Sequence, residues 1–312
     1  MDEFRHTHFN LPKDVIKYKG KVRDVFIRDD VFVSVATDRI SAFDHILPRT
    51  ILYKGQVLNQ TASFFLQSVK DIIPTWLTDT PDPNVSVGKR CEPIRIEMVI
   101  RGYLTGHAWR EYKSGKRQLC GVAMPDNMKE NDPFEEPIIT PSTKAMEGHD
   151  VDISKDEIIE GGYVEPALYA QMEVKAKELF ARGQQMAKER GLILVDTKYE
   201  FGLWENALTL MDEIHTPDSS RYFYLDSYQE NQSKGLQQNQ LSKEFVREWL
   251  IGKGFQGRPG DIMPVMDDEM AHTVSERYIQ LYEIITGERF VRHSYNQIES
   301  RIENVLNSIF EK

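Results

Sequence analysis

The segment Leu194-Val195-Asp196-Thr197-Lys198-Tyr199-Glu200-Phe201-Gly202 constrains this chain more than any other. Its β-branched and aromatic residues predict a strand, in which alternate side chains share a face. Asp196, Lys198 and Glu200 then project one way, and Val195, Tyr199 and Phe201 the other. A core strand does not carry three charges on one face unless that face lines a site or meets water. Ala207 to Glu213 reads as the return strand of a hairpin. If Trp204-Glu205-Asn206 is a three-residue loop, Lys198 faces Asp212, and Glu200 lies diagonal to Asp212. Diagonal neighbours are roughly 7–8 Å apart, within reach for two carboxylates to share one cation. A two-residue loop would flip Asp212 to the other face. Two carboxylates and a lysine suit Mg-nucleotide chemistry, because Mg²⁺ takes one or two carboxylates plus phosphate oxygens. A solvated edge hairpin with a surface ion pair is the plain alternative.

The remaining pattern decides the fold class. Val22 to Arg28 and Val31 to Ala36 predict a hairpin on Asp29-Asp30, and Ile94 to Ile100 alternates as a further strand. Asn59 to Ile72 reads as a helix with Asn59 as N-cap. Gly115 to Gly162 is rich in turn residues and reads as irregular, hence functional or mobile. Pro166 opens a strong helix that ends at Gly191, and Asp267 to Thr286 predicts another that ends at Gly287. A last helix carries the stripe Ile298, Ile302, Val305, Leu306 and Ile309, which reads as core packing. Strands first and helices later predict α+β rather than a doubly wound sheet. No GxGxxG follows a strand and no GxxxxGK[ST] occurs, which sets aside Rossmann and P-loop folds.

Composition narrows the class of partner. A chain of 312 residues with 40% hydrophobic and 28% charged residues can bury a real core. No apolar run approaches the roughly 20 residues that span a bilayer, and Met1 to His6 has no apolar leader. Cys91 and Cys120 are expected as free thiols in a reducing cytoplasm. The 39 Lys+Arg against 49 Asp+Glu, a formal charge of −10, argue against a nucleic-acid-coating protein. Anionic small molecules remain open, since a site needs only local positive charge.

Four further segments carry such charge. Lys19-Gly20-Lys21-Val22-Arg23 sets one glycine between lysines, where backbone can approach a phosphate. Arg101-Gly102-Tyr103-Leu104-Thr105-Gly106-His107 follows a strand and offers Arg101 to phosphate or carboxylate. Thr140 to Lys144 and Gly148-His149-Asp150 supply hydroxyls, an ammonium and an imidazole, on a plain loop or a substrate lid. Asp218-Ser219-Ser220-Arg221 is ordinary turn chemistry and also a candidate anion cradle.

Taken in order, Gly20 to Asp24, Asp38 to Asp44, Arg101 to Gly106, Leu194 to Gly202 and Asp212 to Arg221 resemble the motifs of the SAICAR synthetases of purine biosynthesis. The resemblance implies a two-lobed α+β fold: a β-rich, kinase-like ATP-binding lobe at residues 1–99, and a larger lobe with the Mg and substrate site at 100–312. It implies an ATP-dependent ligase joining carboxyaminoimidazole ribonucleotide (CAIR) to L-aspartate through an acyl phosphate. By resemblance, Lys198, Glu200 and Asp212 are catalytic, and Glu200 and Asp212 hold Mg²⁺. Lys19, Gly20, Lys21, Val22 and Arg23 cover the ATP phosphates, and backbone at Glu97 and Val99 forms the adenine hinge. Arg101, His107, Thr143, Lys144, His149, Asp218, Ser219, Ser220 and Arg221 bind substrate. His107 stands where the family commonly has Ser, and its imidazole is larger and titrates near neutral pH. The expected protein is cytoplasmic, a monomer or homodimer, and a stand-alone synthase without a fused carboxylase. The runner-up is a small-molecule kinase of the inositol-phosphate type, although Asp212-Glu213-Ile214 is not Asp-Phe-Gly.

Overall fold

The computed structural model of the protein describes residues 4–144 and 150–311. Its smaller sheet starts with β1 (Ile16–Lys19), β2 (Arg23–Arg28) and β3 (Val31–Ala36). As the alternation predicts, β2 and β3 pair on an Asp29-Asp30 turn, with Asp29 at φ 51°. Short strands β4 (Ser41–Ala42) and β5 (His45–Ile46) lead to helix α1 (Lys54–Ser68). Then β6 (Leu77–Asp82) and β7 (Val85–Lys89) complete a five-stranded sheet in the order β1-β2-β3-β7-β6.

Helix α1 starts at Lys54, not at Asn59. Its first turn is capped from a distance: the Gly55 N–H donates to the Asp38 carboxylate at 3.0 Å. A cap that far away in sequence leaves no local signature. Asn59 instead lies inside the helix, where its side chain accepts the Ser86 hydroxyl at 2.8 Å.

The larger sheet is built on β8 (Glu92–Tyr103). The expected lobe boundary after residue 99 falls inside this one strand. Helix α2 (Gly106–Lys113) follows, and the stretch read as irregular, Gly115 to Gly162, contains β9 (Gln118–Leu119), β10 (Val122–Ala123), β11 (Pro133–Ile139), β12 (Ser142–Thr143) and α3 (Lys155–Glu160). The long helix α4 (Pro166–Glu189) follows with proline at its start, as predicted. Next come β13 (Leu192–Trp204), β14 (Ala207–Met211), β15 (Ser220–Tyr224), α5 (Leu225–Lys234) and β16 (Gln240–Leu241). The order is β11-β8-β13-β15-β16, with β12 on β8 and β14 on β13. Helices α6 (Glu244–Gly252), α7 (Asp268–Thr286) and α8 (Ile298–Phe310) close the chain. Asp267 caps α7 and Gly287 ends it at φ 75°. Among the described residues no helix is long and apolar enough to cross a membrane.

Packing leaves one face of the larger sheet free for chemistry. Tyr199 and Phe201 of β13 join Ile96, Met98 and Ile100 of β8 under Met172, Leu179 and Phe180 of α4. Val195 does not share this core, contrary to simple alternation. A bulge between Leu194 and Asp196 sends it to Phe223 and Tyr228. Helix α8 covers the smaller sheet, packing Ile298, Ile302, Leu306 and Phe310 on Phe26, Val33, Val35 and Val85.

The β13–β14 loop has two residues, not three. Trp204 pairs with Ala207, and Glu205 and Asn206 stand at φ 50° and 63°, as a type I′ turn requires. Met211 therefore sits opposite Glu200. Parity alone would send Asp212 to the Tyr199 face, but Asp212 lies past the last pair at φ 53°. That bend takes it out of the ladder, and its carboxylate interacts electrostatically with Glu200 and Lys198 after all.

Two predictions follow from the core. Leu306→Ala should cost about 2–5 kcal/mol by denaturant unfolding, the usual range for a buried leucine; a loss below about 1 kcal/mol would show that α8 is not docked on the sheet. His215 is fully buried, with Nε2 2.6 Å from the Tyr199 hydroxyl, and burial lowers its pKa to about 3. The unfolded chain protonates this imidazole below about 6.5 while the folded chain does not. Its contribution to stability is therefore full above pH 6.5 and is lost as pH falls towards 3, at up to about 1.4 kcal/mol per unit. Stability measured against pH should lose this component in His215→Gln; an unchanged slope would contradict it.

Candidate active site

The antiparallel pairing of β8 with β13 sets Glu97 opposite Glu200 and Val99 opposite Lys198. Facing carboxylates repel. Lys198 offsets this, with Nζ 2.6 Å from Glu97 and 3.1 Å from Glu200. Lys144, just past β12, also pairs with Glu200. Burial would raise the Glu200 carboxyl, but Lys198 and Lys144 hold it well below the usual carboxylate range. Asp212 has the opposite balance. Burial and the neighbouring Glu200 charge push its pKa up to about 7, against Arg23 and Lys144. Among the described residues no group of three His, Cys, Asp or Glu side chains is placed to enclose a metal. Two carboxylates with the remaining oxygens left to phosphate or water is the donor set Mg²⁺ accepts, so Glu200 and Asp212 fit it.

The Gly20 loop meets this cluster through Arg23, whose Nη2 lies 2.5 Å from Glu213. Glu213 also accepts the Thr216 hydroxyl at 2.8 Å. Gly20 is needed by the turn itself: its N–H donates to the Arg23 carbonyl at 2.8 Å, and a Cβ there would stand 2.6 Å from that oxygen. Arg39, 2% exposed, holds the loop from behind, donating to the Gly20 and Lys21 carbonyls at 3.2 and 3.1 Å and pairing with Asp24 at 2.5 Å. Lys21 turns to Asp44, Lys19 lies exposed on β1, and the Val22 carbonyl accepts the Thr37 N–H and hydroxyl.

The expected adenine hinge at Glu97 and Val99 is not available as free backbone. β8 is an interior strand with neighbours on both sides, and the Val99 carbonyl accepts the Thr140 N–H at 2.8 Å. Glu97 enters the site through its side chain.

A second cluster is guanidinium-rich. Arg101 is buried, with Nε donating to Thr140 at 2.8 Å and Nη1 3.4 Å from Asp196. Arg221 pairs with Asp196 at 2.5 Å and Glu244 at 2.8 Å, and Arg247 meets Glu244 at 3.0 Å. Burial opposes the Glu244 charge, yet Arg221 and Arg247 hold its pKa down to about 2. The Arg221 Nε is buried with no hydrogen-bond partner among the described residues. Gly106, at φ 56°, makes room for this guanidinium, because a Cβ would sit 2.4 Å from Nη2. His107 lies aside, 2.6 Å from Asp152. Thr143 donates its N–H to the Val151 carbonyl at 2.9 Å. His149 lies outside the described residues.

The Asp218 to Ser220 turn is less open than an anion cradle needs. Asp218 accepts Lys54 at 2.9 Å and the Tyr278 hydroxyl at 2.6 Å, with Lys243 at 3.5 Å. The Ser219 hydroxyl accepts the Thr216 N–H at 3.1 Å, and the Ser220 hydroxyl donates to Thr197 at 2.7 Å. Lys54, Lys243, Glu244, Arg247 and Tyr278 were not expected from sequence. Lys243 and Arg247 stand four apart at the start of a helix, a spacing that shares one face and was the available signal. Lys54 offered none, since only the fold brings it to Asp218.

Comparison with known proteins agrees along nearly the whole chain. The family model for SAICAR synthetase matches residues 16–260. A phosphoribosylaminoimidazole-succinocarboxamide synthase from Cytophaga hutchinsonii is 56% identical over 310 residues, covering 99% of this chain and 100% of that protein. The enzyme of that name from Flavobacterium psychrophilum is 54% identical over 316 residues, with 100% of both covered. Among solved structures, the SAICAR synthase from Saccharomyces cerevisiae complexed with SAICAR superposes with a TM-score of 0.77 at 32% identity, over 91% of this chain and 99% of that one.

Gly106→Ala should displace Arg221 and lower kcat/KM by about tenfold or more, a loss of roughly 1.4 kcal/mol of transition-state stabilisation. Steady-state kinetics with a melting curve on the same sample checks this. Wild-type kcat/KM would mean that Arg221 can move without consequence.

Proposed function

This chain belongs to the SAICAR synthetase family of ATP-dependent ligases in purine biosynthesis, and from that premise we propose how its residues divide the work of joining CAIR to L-aspartate. The CAIR carboxylate attacks the γ-phosphorus of ATP, and ADP leaves. The aspartate amine then attacks the resulting acyl phosphate, and inorganic phosphate leaves as the amide forms. Both steps build negative charge on phosphoryl and carbonyl oxygens, so placed cations are the main requirement.

The observation that carries this reading is Lys198, held between Glu97 and Glu200 on the charged face of β13. Its ammonium is fixed before substrate arrives, so little reorganisation is needed when charge develops. Burial disfavours that charge, but Glu200, Glu97 and Asp212 keep it well above the ordinary lysine range, so it stays protonated. Glu200 and Asp212 would hold Mg²⁺, which when bound neutralises phosphate oxygens. Arg23, steadied by Glu213, and the Gly20 to Arg23 backbone would lie over the ATP phosphates. Arg101 and Arg221 offer planar forks suited to the CAIR phosphate or carboxylate. Lys144 would exchange its bond to Glu200 for a substrate anion. A simple kinase is not favoured, since the relatives that match nearly the whole chain are SAICAR synthases.

The test is ADP release with CAIR, with and without L-aspartate. The ligase reading expects full turnover only with aspartate, and a phosphorylated CAIR formed at full rate without it would refute the reading. Glu200→Gln and Asp212→Asn should each lower Mg-dependent kcat by on the order of 100-fold with the fold intact. Near-wild-type turnover in both would remove the metal assignment.

A further inference from the structure

Lys243 occupies a place that stability alone would not choose. It is the N-cap residue of α6 and its side chain makes no capping bond. A cation at that end opposes the helix dipole. Its side chain is 12% exposed, beside Lys54, which is 0% exposed, and both lean on the one carboxylate of Asp218. Lys54 holds the better position at 2.9 Å, and the other Asp218 oxygen is taken by the Tyr278 hydroxyl at 2.6 Å. Among the described residues Lys243 keeps two side-chain contacts at the outer limit, 3.5 Å from Asp218 and 3.5 Å from the Ser41 hydroxyl. An ammonium has three donors to satisfy. Burial, opposed by Asp218 and aided by Lys54, lowers its pKa to about 8, the direction expected for an under-partnered cation.

Its position suggests what it awaits. Arg247 and Glu213 also act on its charge. Glu213 is the partner of Arg23 beside the metal carboxylates, and Arg247 is the partner of Glu244 in the guanidinium cluster. Lys243 therefore lies within electrostatic reach of both groups, the one the proposed function gives to the nucleotide and the one it gives to CAIR. The guanidinium forks suit the phosphate and carboxylate of CAIR, and the separate ammonium of Lys243 offers a point charge to a further anion, of which the amino-acid substrate brings two carboxylates.

We propose that Lys243 is the receptor for a carboxylate of the amino-acid substrate, with Asp218, Lys54 and Tyr278 as the groups that position it. This rests on the ligase reading above. Two buried lysines on one aspartate leave a positive charge in excess, and a substrate carboxylate completes the balance.

The experiment is steady-state kinetics of Lys243→Met and Lys243→Arg, varying ATP, CAIR and L-aspartate in turn, with melting curves. In Lys243→Met the KM for L-aspartate should rise about tenfold or more, as expected for one charged hydrogen bond lost. The KM values for ATP and CAIR should stay within about threefold. The Tm should be unchanged or higher, because Lys54 and Asp218 remain a balanced pair. Lys243→Arg should recover part of the L-aspartate affinity. An unchanged KM for L-aspartate, or an equal rise for CAIR, overturns the proposal. A fall in Tm with loss of all activity assigns Lys243 a structural role and overturns it too. Wild-type protein that releases no ADP on CAIR plus L-aspartate would instead refute the ligase reading on which the proposal stands.

Discussion

The pairing of β8 with β13 is the contact on which the rest of this structure depends. It places Glu97 directly across from Glu200, a repulsive arrangement in isolation, with Lys198 drawn between them. That ammonium offsets the burial of both carboxylates, and Lys144 adds a second cation at Glu200. The same register puts Arg101 opposite Asp196. One strand pair therefore generates both the carboxylate–lysine cluster and the start of the guanidinium cluster. The apolar reverse of the strands, under α4, supplies the packing that holds this register against the cost of concentrating charge.

Buried ion pairs of this kind are weak evidence for stability, since desolvation offsets much of their attraction. Their use here is better described as placement. Arg23 is carried by the smaller sheet and Glu213 follows the larger one, so their 2.5 Å pair ties the Gly20 loop to the strand end that carries Asp212. Arg39 shapes that loop from behind with backbone bonds. Asp38, beside it, caps α1, whose first residue Lys54 then reaches Asp218. Each of these links joins residues far apart in sequence.

That distance explains what was legible in the sequence and what was not. The β2–β3 hairpin, helix α4 and the limits of α7 follow from alternation, a leading proline, a capping aspartate and a terminal glycine, all local signals. The charged face of β13 was also local, and Lys198, Glu200 and Asp212 do converge. The route to Asp212 was misjudged, because a type I′ turn and a left-handed residue each changed the parity and the two changes compensated. Asn59 was misread as a cap because the true cap, Asp38, arrives from another element. Glu97 was valued for its backbone because an interior strand cannot be told from an edge before the sheet order is known. The family motifs named candidate residues and left the partners of each charge to the fold.

The most direct test of the central claim is anomalous scattering from Mn²⁺ in crystals grown with ATP and CAIR. The account predicts one strong peak bound by the carboxylates of Glu200 and Asp212, with nucleotide phosphate oxygens completing its shell. A metal peak held elsewhere, with Glu200 still paired to Lys198 and Lys144 and Asp212 unliganded, would contradict it.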